Sequence, residues 1–209
     1  MEENMNMTAE RSLEIIRESI EQSQHTIAKN SSWSLIWWGG CVVAFSLLIA
    51  YLWANHGGPV WNVLWAVMWG VGYAGERLIS KHKKPVPTSF VSKTISHVWS
   101  TFGIFIGLFG LIICLMGFGF LPVKPAVPEQ LYYLNITSII SLCFGIATTI
   151  TGFIIKNRIV QVCGLIAGLG GFFCAALWYP GVEQLFVMAV VAFIGLIIPG
   201  IIIYCQNKE

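Results

Sequence analysis

The sequence contains no aspartate and little charge of either sign. Charged residues make up 11% of its 209 residues, whereas soluble domains typically carry about 25%. Hydrophobic residues make up 56%, and the mean hydropathy is +0.73. This composition excludes an ordinary soluble domain. It predicts an integral membrane protein whose first partner is the lipid bilayer.

Several sequence motifs of catalytic, metal-binding and nucleotide-binding sites are also missing. The six cysteines form no CxxC pair, and the chain contains no HExxH, no GxSxG and no P-loop. The net charge is only +2, and no basic stripe alternates with aromatic residues, which argues against nucleic acid as a partner. We therefore predict no catalytic residue, no metal site and no cofactor, and we favour a protein that is not an enzyme.

Long apolar runs are abundant, and a run of about 20 residues crosses the hydrocarbon core as a helix. Short breaks containing glycine, proline or lysine separate the runs, so consecutive helices should be antiparallel neighbours. The sequence predicts an all-α polytopic membrane protein with six transmembrane helices arranged as three hairpins. The bundle occupies 32–206, a short tail occupies 207–209, and the spans are about 33–53, 60–79, 96–121, 130–155, 159–179 and 182–204.

The basic residues predict the orientation of the bundle. Eleven of the 12 lysine and arginine residues lie in the N-terminal segment, the second and fourth connections and the tail. Lys124, in the third connection, is the exception. Because basic residues accumulate on the cytoplasmic side, we predict a multi-pass protein of the cell inner membrane with both termini in the cytoplasm.

Residues 1–31 are predicted to form an acidic, amphipathic cytoplasmic helix. A separate helix over 9–29, with Thr8 as its N-cap, would carry a thin apolar stripe of Leu13, Ile16, Ile20 and Ile27. Residues 1–29 hold six glutamates and three basic residues, so adsorption to anionic lipid explains this helix poorly. The helix should pack under its own bundle or across a dimer, or else remain solvated.

The second cytoplasmic connection is basic and complements the acidic helix in charge. The basic residues that we single out as partner contacts, together with the apolar stripe, are Arg77, Lys81, Lys83 and Lys84.

Small residues recur every three or four positions in several spans, which lets helices approach closely in lipid. The predicted packing stripes are Ala66, Gly70 and Ala74 in the second span, Gly103, Gly107, Gly110, Cys114 and Gly117 in the third, Ser138, Ser141, Gly145, Thr148 and Gly152 in the fourth, and Gly164, Gly168, Gly171 and Ala175 in the fifth.

Four aromatic residues recur every four positions along the second span: Trp61, Trp65, Trp69 and Tyr73. One interpretation is that they pack against Trp37, Trp38 and other aromatic residues of the first span. The other is that they form a wall that binds a lipid tail, a quinone-like ring or an organic cation, since aromatic faces attract cations.

Residues 70–75 match the spacing GxGxxG, but they lie in an apolar helix without the strand that a dinucleotide site requires. We interpret these glycines as sites of close helix contact. Ionisable residues near the membrane are rare, and a contact between Glu76 and His97 is the one candidate for a proton relay or ion pair.

Two functions of different classes remain open. The first is a non-enzymatic interaction or regulatory module, which presents its cytoplasmic helix and basic loop to a cytoplasmic protein or to a second copy of the chain. The alternative is a small transporter, a channel, or a membrane protein that binds a lipid or another hydrophobic ligand.

Overall fold

A computed structural model of the chain describes residues 2–81, 90–117, 136–177 and 181–206, and the regular structure within these ranges is helical throughout. The helices in chain order are α1 (Glu2–His56), α2 (Leu64–Lys81), α3 (Phe90–Gly117), α4 (Ile136–Ile154), α5 (Arg158–Leu177) and α6 (Glu183–Gln206). Five of these helices are long and apolar enough to cross a membrane: α1 from Ser32 to His56, α3 from Phe90 to Ile112, and all of α4, α5 and α6. The chain is therefore a helical bundle compatible with a membrane protein.

The first helix differs from the sequence prediction. Instead of a separate helix capped by Thr8, the structure has one helix of 55 residues from Glu2 to His56, about 80 Å long at 1.5 Å per residue. The physical reason is visible in the sequence. No proline or glycine occurs before Gly39, and a helix that has already formed propagates through polar residues at low cost.

The α-helix of the second predicted span begins later in the chain than expected, at Leu64. Gly57 and Gly58 have φ of 71° and 85°, a conformation that glycine adopts without strain, and they turn the chain after α1. A 3-10 turn, Pro59–Val63, follows and leads into α2. Within its 18 residues α2 carries three charged residues, so it is shorter and more polar than the five apolar helices.

Helix α1 lies between α2 and α6. On the α6 side, a β-carbon added at Gly39 would lie 2.7 Å from Cγ1 of Ile197, and one added at Gly200 would lie 3.0 Å from the carbonyl oxygen of Ser32. On the α2 side, the rings of Trp37 and Trp38 cover glycines of α2. The expected pairs α1–α2, α3–α4 and α5–α6 are in contact, and the α1–α6 and α4–α5 contacts connect these pairs.

The contact between α4 and α5 has the predicted composition. The fourth-span stripe is buried along its whole length, as are all four residues of the fifth-span stripe. At Gly145 the backbone of α4 touches the backbone of α5 at Gly168, so that a β-carbon at either position would overlap the other helix. This prediction is confirmed, because small residues on both helices face each other.

The small-residue stripe of the second span was wrong as a packing face, because Ala66, Gly70 and Ala74 are exposed on α2. The third-span stripe is borne out at Gly103, where an added β-carbon would lie 3.6 Å from the ring of Trp69. At Gly107 and Gly110 no atom of the described residues lies within 4 Å of such a β-carbon. The residues that α2 buries are instead Met68, Gly72 and Gly75. The large rings of Trp37 and Trp38 on α1 fit only over Gly72 and Gly75, and this determines which face of α2 packs against α1. The spacing of small residues on α2 alone does not predict that face.

Candidate functional site

The aromatic residues of α2 assemble around one tryptophan of α1. The ring of Trp38 meets Trp69 edge to face with centroids 5.6 Å apart, and it meets Tyr73 in the same way at 5.7 Å. Such geometry places the positive edge of one ring on the negative face of another. The interpretation that these residues pack against the first span is therefore satisfied for Trp69 and Tyr73. Tyr73 nevertheless keeps 61% of its surface exposed.

The other two aromatic residues lie toward the opposite end of α2. Trp61 is in the 3-10 turn, with its ring centroid 6.0 Å from that of His56, and it packs on the buried cluster around Ile49. Trp65 contacts that cluster and also the cluster that contains Trp38. The four aromatic residues thus extend from the 3-10 turn to the middle of α2, on the side that faces α1.

Glycines on α2 make room for the tryptophans of α1. The ring of Trp38 lies where a β-carbon of Gly72 would be, and the ring of Trp37 occupies the same place at Gly75. The Nε1–H of Trp37 also donates a hydrogen bond of 3.1 Å to the carbonyl oxygen of Gly72. This confirms that two glycines of the GxGxxG run serve close helix contact. Gly70, by contrast, faces open space.

Glu76 lies one turn beyond Tyr73 on α2. The hydroxyl of Ser34 donates a hydrogen bond of 2.7 Å to Oε1 of Glu76, whereas Oε2 is buried and has no hydrogen-bond partner among the described residues. His97 is exposed on α3. The structure therefore pairs Glu76 with Ser34 and shows no hydrogen bond or ion pair between Glu76 and His97. Ser34 was not predicted, because nothing in its sequence surroundings indicates a partner 42 positions away.

The N-terminal part of α1 extends beyond the bundle. Every side chain from 11 to 22 is exposed, including Leu13 at 67%, Ile16 at 55% and Ile20 at 45% of their surface. Arg17 and Glu21 form an ion pair of 3.3 Å within the helix. Since both side chains are more than half exposed, this pair adds little to stability. The apolar stripe therefore has no partner within the described part of the chain.

The predicted basic contact residues are only partly visible. Arg77 and Lys81 are exposed at the end of α2, and Lys93 is exposed near the start of α3. Lys83 and Lys84 lie outside the described residues. Ile27 lies within α1, but its side chain is not among those described.

Within the described part of the chain, no group of three histidine, cysteine or acidic side chains is placed to hold a metal ion. Comparisons with known protein families, with curated protein sequences and with solved structures found no match to this chain.

Proposed function

We propose that the chain is a six-span inner-membrane protein with both termini in the cytoplasm, and that it is a non-enzymatic interaction or regulatory module. In this proposal the N-terminal extension of α1 and the basic connection after α2 form a surface for a cytoplasmic protein or a second copy of the chain. The observation that carries the proposal is the exposure of the whole segment 11–22, with three large apolar side chains on one side.

An exposed helix of this kind needs an explanation. An isolated helix of this length is only marginally stable in water, and most helices in proteins are stabilised by packing of an apolar face. Each large aliphatic side chain that becomes buried contributes about 1.5–3 kcal/mol. A partner that covers Leu13, Ile16 and Ile20 would therefore stabilise the extension, which supports a role in protein contact.

The contacts of α2 support its place as a membrane span, which brings the five apolar helices to six. At one end, Trp61 packs on the cluster that contains Ile49 and Ala50 of α1. At the other end, Glu76 accepts the hydrogen bond from Ser34. The segment from Trp61 to Glu76 thus follows α1 from the Ile49 cluster to Ser34. Helix α2 has 18 residues, about 27 Å at 1.5 Å per residue, which approaches the ~30 Å hydrocarbon core and supports a further span.

Site-specific photo-crosslinking in intact cells tests the proposed function. A benzophenone amino acid is placed at Ile16, within the apolar stripe, and in a matched protein at Glu18, which is equally exposed but lies on another side of the helix. We expect a discrete protein adduct from position 16 and a weaker or absent one from position 18. An adduct of twice the chain mass identifies a second copy. If position 16 yields no protein adduct, or both positions yield the same smear, the proposal is wrong.

A second candidate function has one observation in its favour. A carboxylate oxygen of Glu76 is buried without a partner in the described part of the chain, and it lies one turn beyond the exposed Tyr73 on α2. Unpaired carboxylates and aromatic faces both attract cations. This arrangement supports binding of a hydrophobic organic cation, within the wider class of transporters and lipid-binding proteins.

Tetraphenylphosphonium is a suitable probe for the second candidate. Its binding to the purified protein, measured by quenching of tryptophan fluorescence, should weaken at least tenfold in Glu76→Gln, which keeps the shape and loses the charge. Lys81→Gln, which removes an exposed charge one turn further along α2, serves as the control. Equal quenching in the parent protein and in Glu76→Gln would argue against a cation site.

A further inference from the structure

Because α1 is one continuous helix, the direction of each side chain in its extension can be related to the bundle below it. Eighteen residues make five full turns at 3.6 residues per turn. Ile16 and Ser34 are 18 positions apart, as are Ile20 and Trp38, so each pair lies on the same face. Ser34 bonds to Glu76, and Trp38 covers Gly72. The apolar stripe therefore lies on the α2 side of α1.

The same 18-residue repeat places Glu18 and Glu21 on a different side of α1 from the apolar stripe. Glu18 shares a face with Ile36, and Glu21 shares a face with Gly39, again 18 positions apart in each pair. Ile36 and Gly39 contact Gly200 and its neighbours on α6. The acidic side chains thus lie on the α6 side of the extension, away from the apolar stripe.

The end of α2 lies on the same side of α1 as the stripe, between the bundle and the stripe. Glu76 is level with Ser34, and Lys81 lies five residues nearer the cytoplasm, or about 7 Å at 1.5 Å per residue. Ile20 lies 14 residues from Ser34 on α1, or about 21 Å by the same rise. About 14 Å of α1 therefore separates Lys81 from the stripe, slightly more than the 10–12 Å diameter of one helix.

These elements define a surface that we name the α2 corner: Leu13, Ile16 and Ile20 on one side, and the exposed Arg77 and Lys81 at the end of α2 on the other. We propose that the α2 corner docks an amphipathic helix of a cytoplasmic protein, with its apolar stripe on α1 and acidic side chains toward Arg77 and Lys81. The inference rests on the proposed function and names its partner.

Charge selects an acidic partner. The stretch from Arg77 to Lys93 contains five basic residues and no acidic one. Glu18 and Glu21, which would repel an acidic partner, lie on the α6 side. Opposite charges brought together at the edge of an apolar contact set orientation and exclude wrong partners.

Geometry disfavours a second copy in the same membrane. Two copies joined by parallel extensions would need the second α1 about 8–10 Å from the first, on the side of the apolar stripe. Continued into the membrane, that second helix would enter the place that α2 already occupies. A helix from a soluble protein carries no such attachment.

Two synthetic peptides test the inference on the full-length protein in phosphatidylcholine nanodiscs. Both are 18-residue amphipathic helices with the same leucine stripe, and the polar face carries glutamate in one and lysine in the other. Fluorescence anisotropy should show the glutamate peptide binding at least tenfold more tightly than the lysine peptide, and its affinity should fall as salt is raised. Equal binding of the two peptides, or equal binding of the glutamate peptide to empty nanodiscs, overturns the inference.

Neighbouring isoleucines provide a matched pair of variants. Ile15 is as exposed as Ile16, at 59% against 55%, but it lies 18 residues before Trp33, which is itself exposed and meets the ring of Tyr204 on α6. Ile16→Glu should weaken binding of the glutamate peptide at least tenfold, and Ile15→Glu by less than twofold. Lys81→Glu should weaken it as well. Equal losses in the two isoleucine variants, or no loss in Lys81→Glu, would show that the corner is not the site.

The outcomes separate this inference from the proposed function. A protein adduct at position 16 together with failure of the glutamate peptide leaves the interaction module standing and removes the acidic helix as its partner. An adduct of twice the chain mass at position 16 also overturns the inference, because it places a second copy on the stripe.

Discussion

The indole Nε1–H of Trp37 on α1 donates a hydrogen bond to the backbone carbonyl oxygen of Gly72 on the neighbouring helix α2. Inside a membrane a tryptophan N–H has no water to bond to, and a carbonyl oxygen that already accepts its helical bond has a second lone pair available. The bond therefore fixes α2 against α1 in both rotation and height. It is possible only because neither Gly72 nor Gly75 has a side chain that would hold the rings away.

Substitution of Gly72 tests this contact. In Gly72→Ala the new methyl group overlaps the ring of Trp38, and overpacking of this kind costs about 1–3 kcal/mol. Gly70→Ala, two positions away, adds a methyl group where no atom lies within 4 Å. We expect thermal unfolding in detergent to shift several degrees lower for Gly72→Ala and to stay level or rise for Gly70→Ala. Equal shifts would mean that the rings do not sit on this face of α2.

The α4–α5 contact should be less tolerant still. A β-carbon at Gly145 meets backbone atoms of Gly168, which cannot rotate away as a side chain can. Gly145→Ala should therefore lower the unfolding temperature more than Gly72→Ala does. Gly107→Ala on α3, which faces open space, is the control for the higher helix propensity of alanine. A tolerant Gly145 would contradict backbone contact between α4 and α5.

Asn157 caps α5 and can be tested separately from the helix contacts. Its Oδ1 accepts hydrogen bonds from the backbone N–H groups of Ile159, at 3.0 Å, and Val160, at 3.3 Å. Asn157→Ala leaves both groups without this acceptor and should cost about 1 kcal/mol. Asn157→Asp keeps an acceptor and adds a favourable charge at the helix N-terminus, so its unfolding midpoint should stay near that of the parent. If both variants unfold alike, the cap is not formed.

The proposed orientation has a direct reporter. A fluorescent protein fused after Glu209 should fluoresce, and alkaline phosphatase fused there should be inactive, because the C-terminus is proposed to be cytoplasmic. Fusions after His56 should behave in the opposite way, since the turn at Gly57 and Gly58 is then outside. Active phosphatase at Glu209 would contradict the proposed six-span topology.

The α4–α5 contact could be predicted from the sequence because both helices carry a stripe of small residues. Gly145 on α4 and Gly168 on α5 belong to stripes of small residues, and each stripe needs the other in order to be buried. On α2 the stripe of Ala66, Gly70 and Ala74 had no such counterpart, and large rings on α1 selected another face. The pairing of Ser34 with Glu76 was hidden for a similar reason, since it depends on how two helices are set against each other.

Composition and charge thus determined by themselves that this chain is a helical protein with apolar helices of membrane-crossing length, because hydrophobic surface of that extent must leave water. The sequence also predicted an acidic N-terminal helix with a thin apolar stripe, as a separate element, and the basic connection that follows the second span. Only the tertiary structure decided how these features relate. The extension continues α1 without a break, so the helical repeat carries the rotational setting of α1 in the bundle out to Ile16 and Ile20. Their stripe therefore lies on the α2 side, a direction that no local pattern specifies.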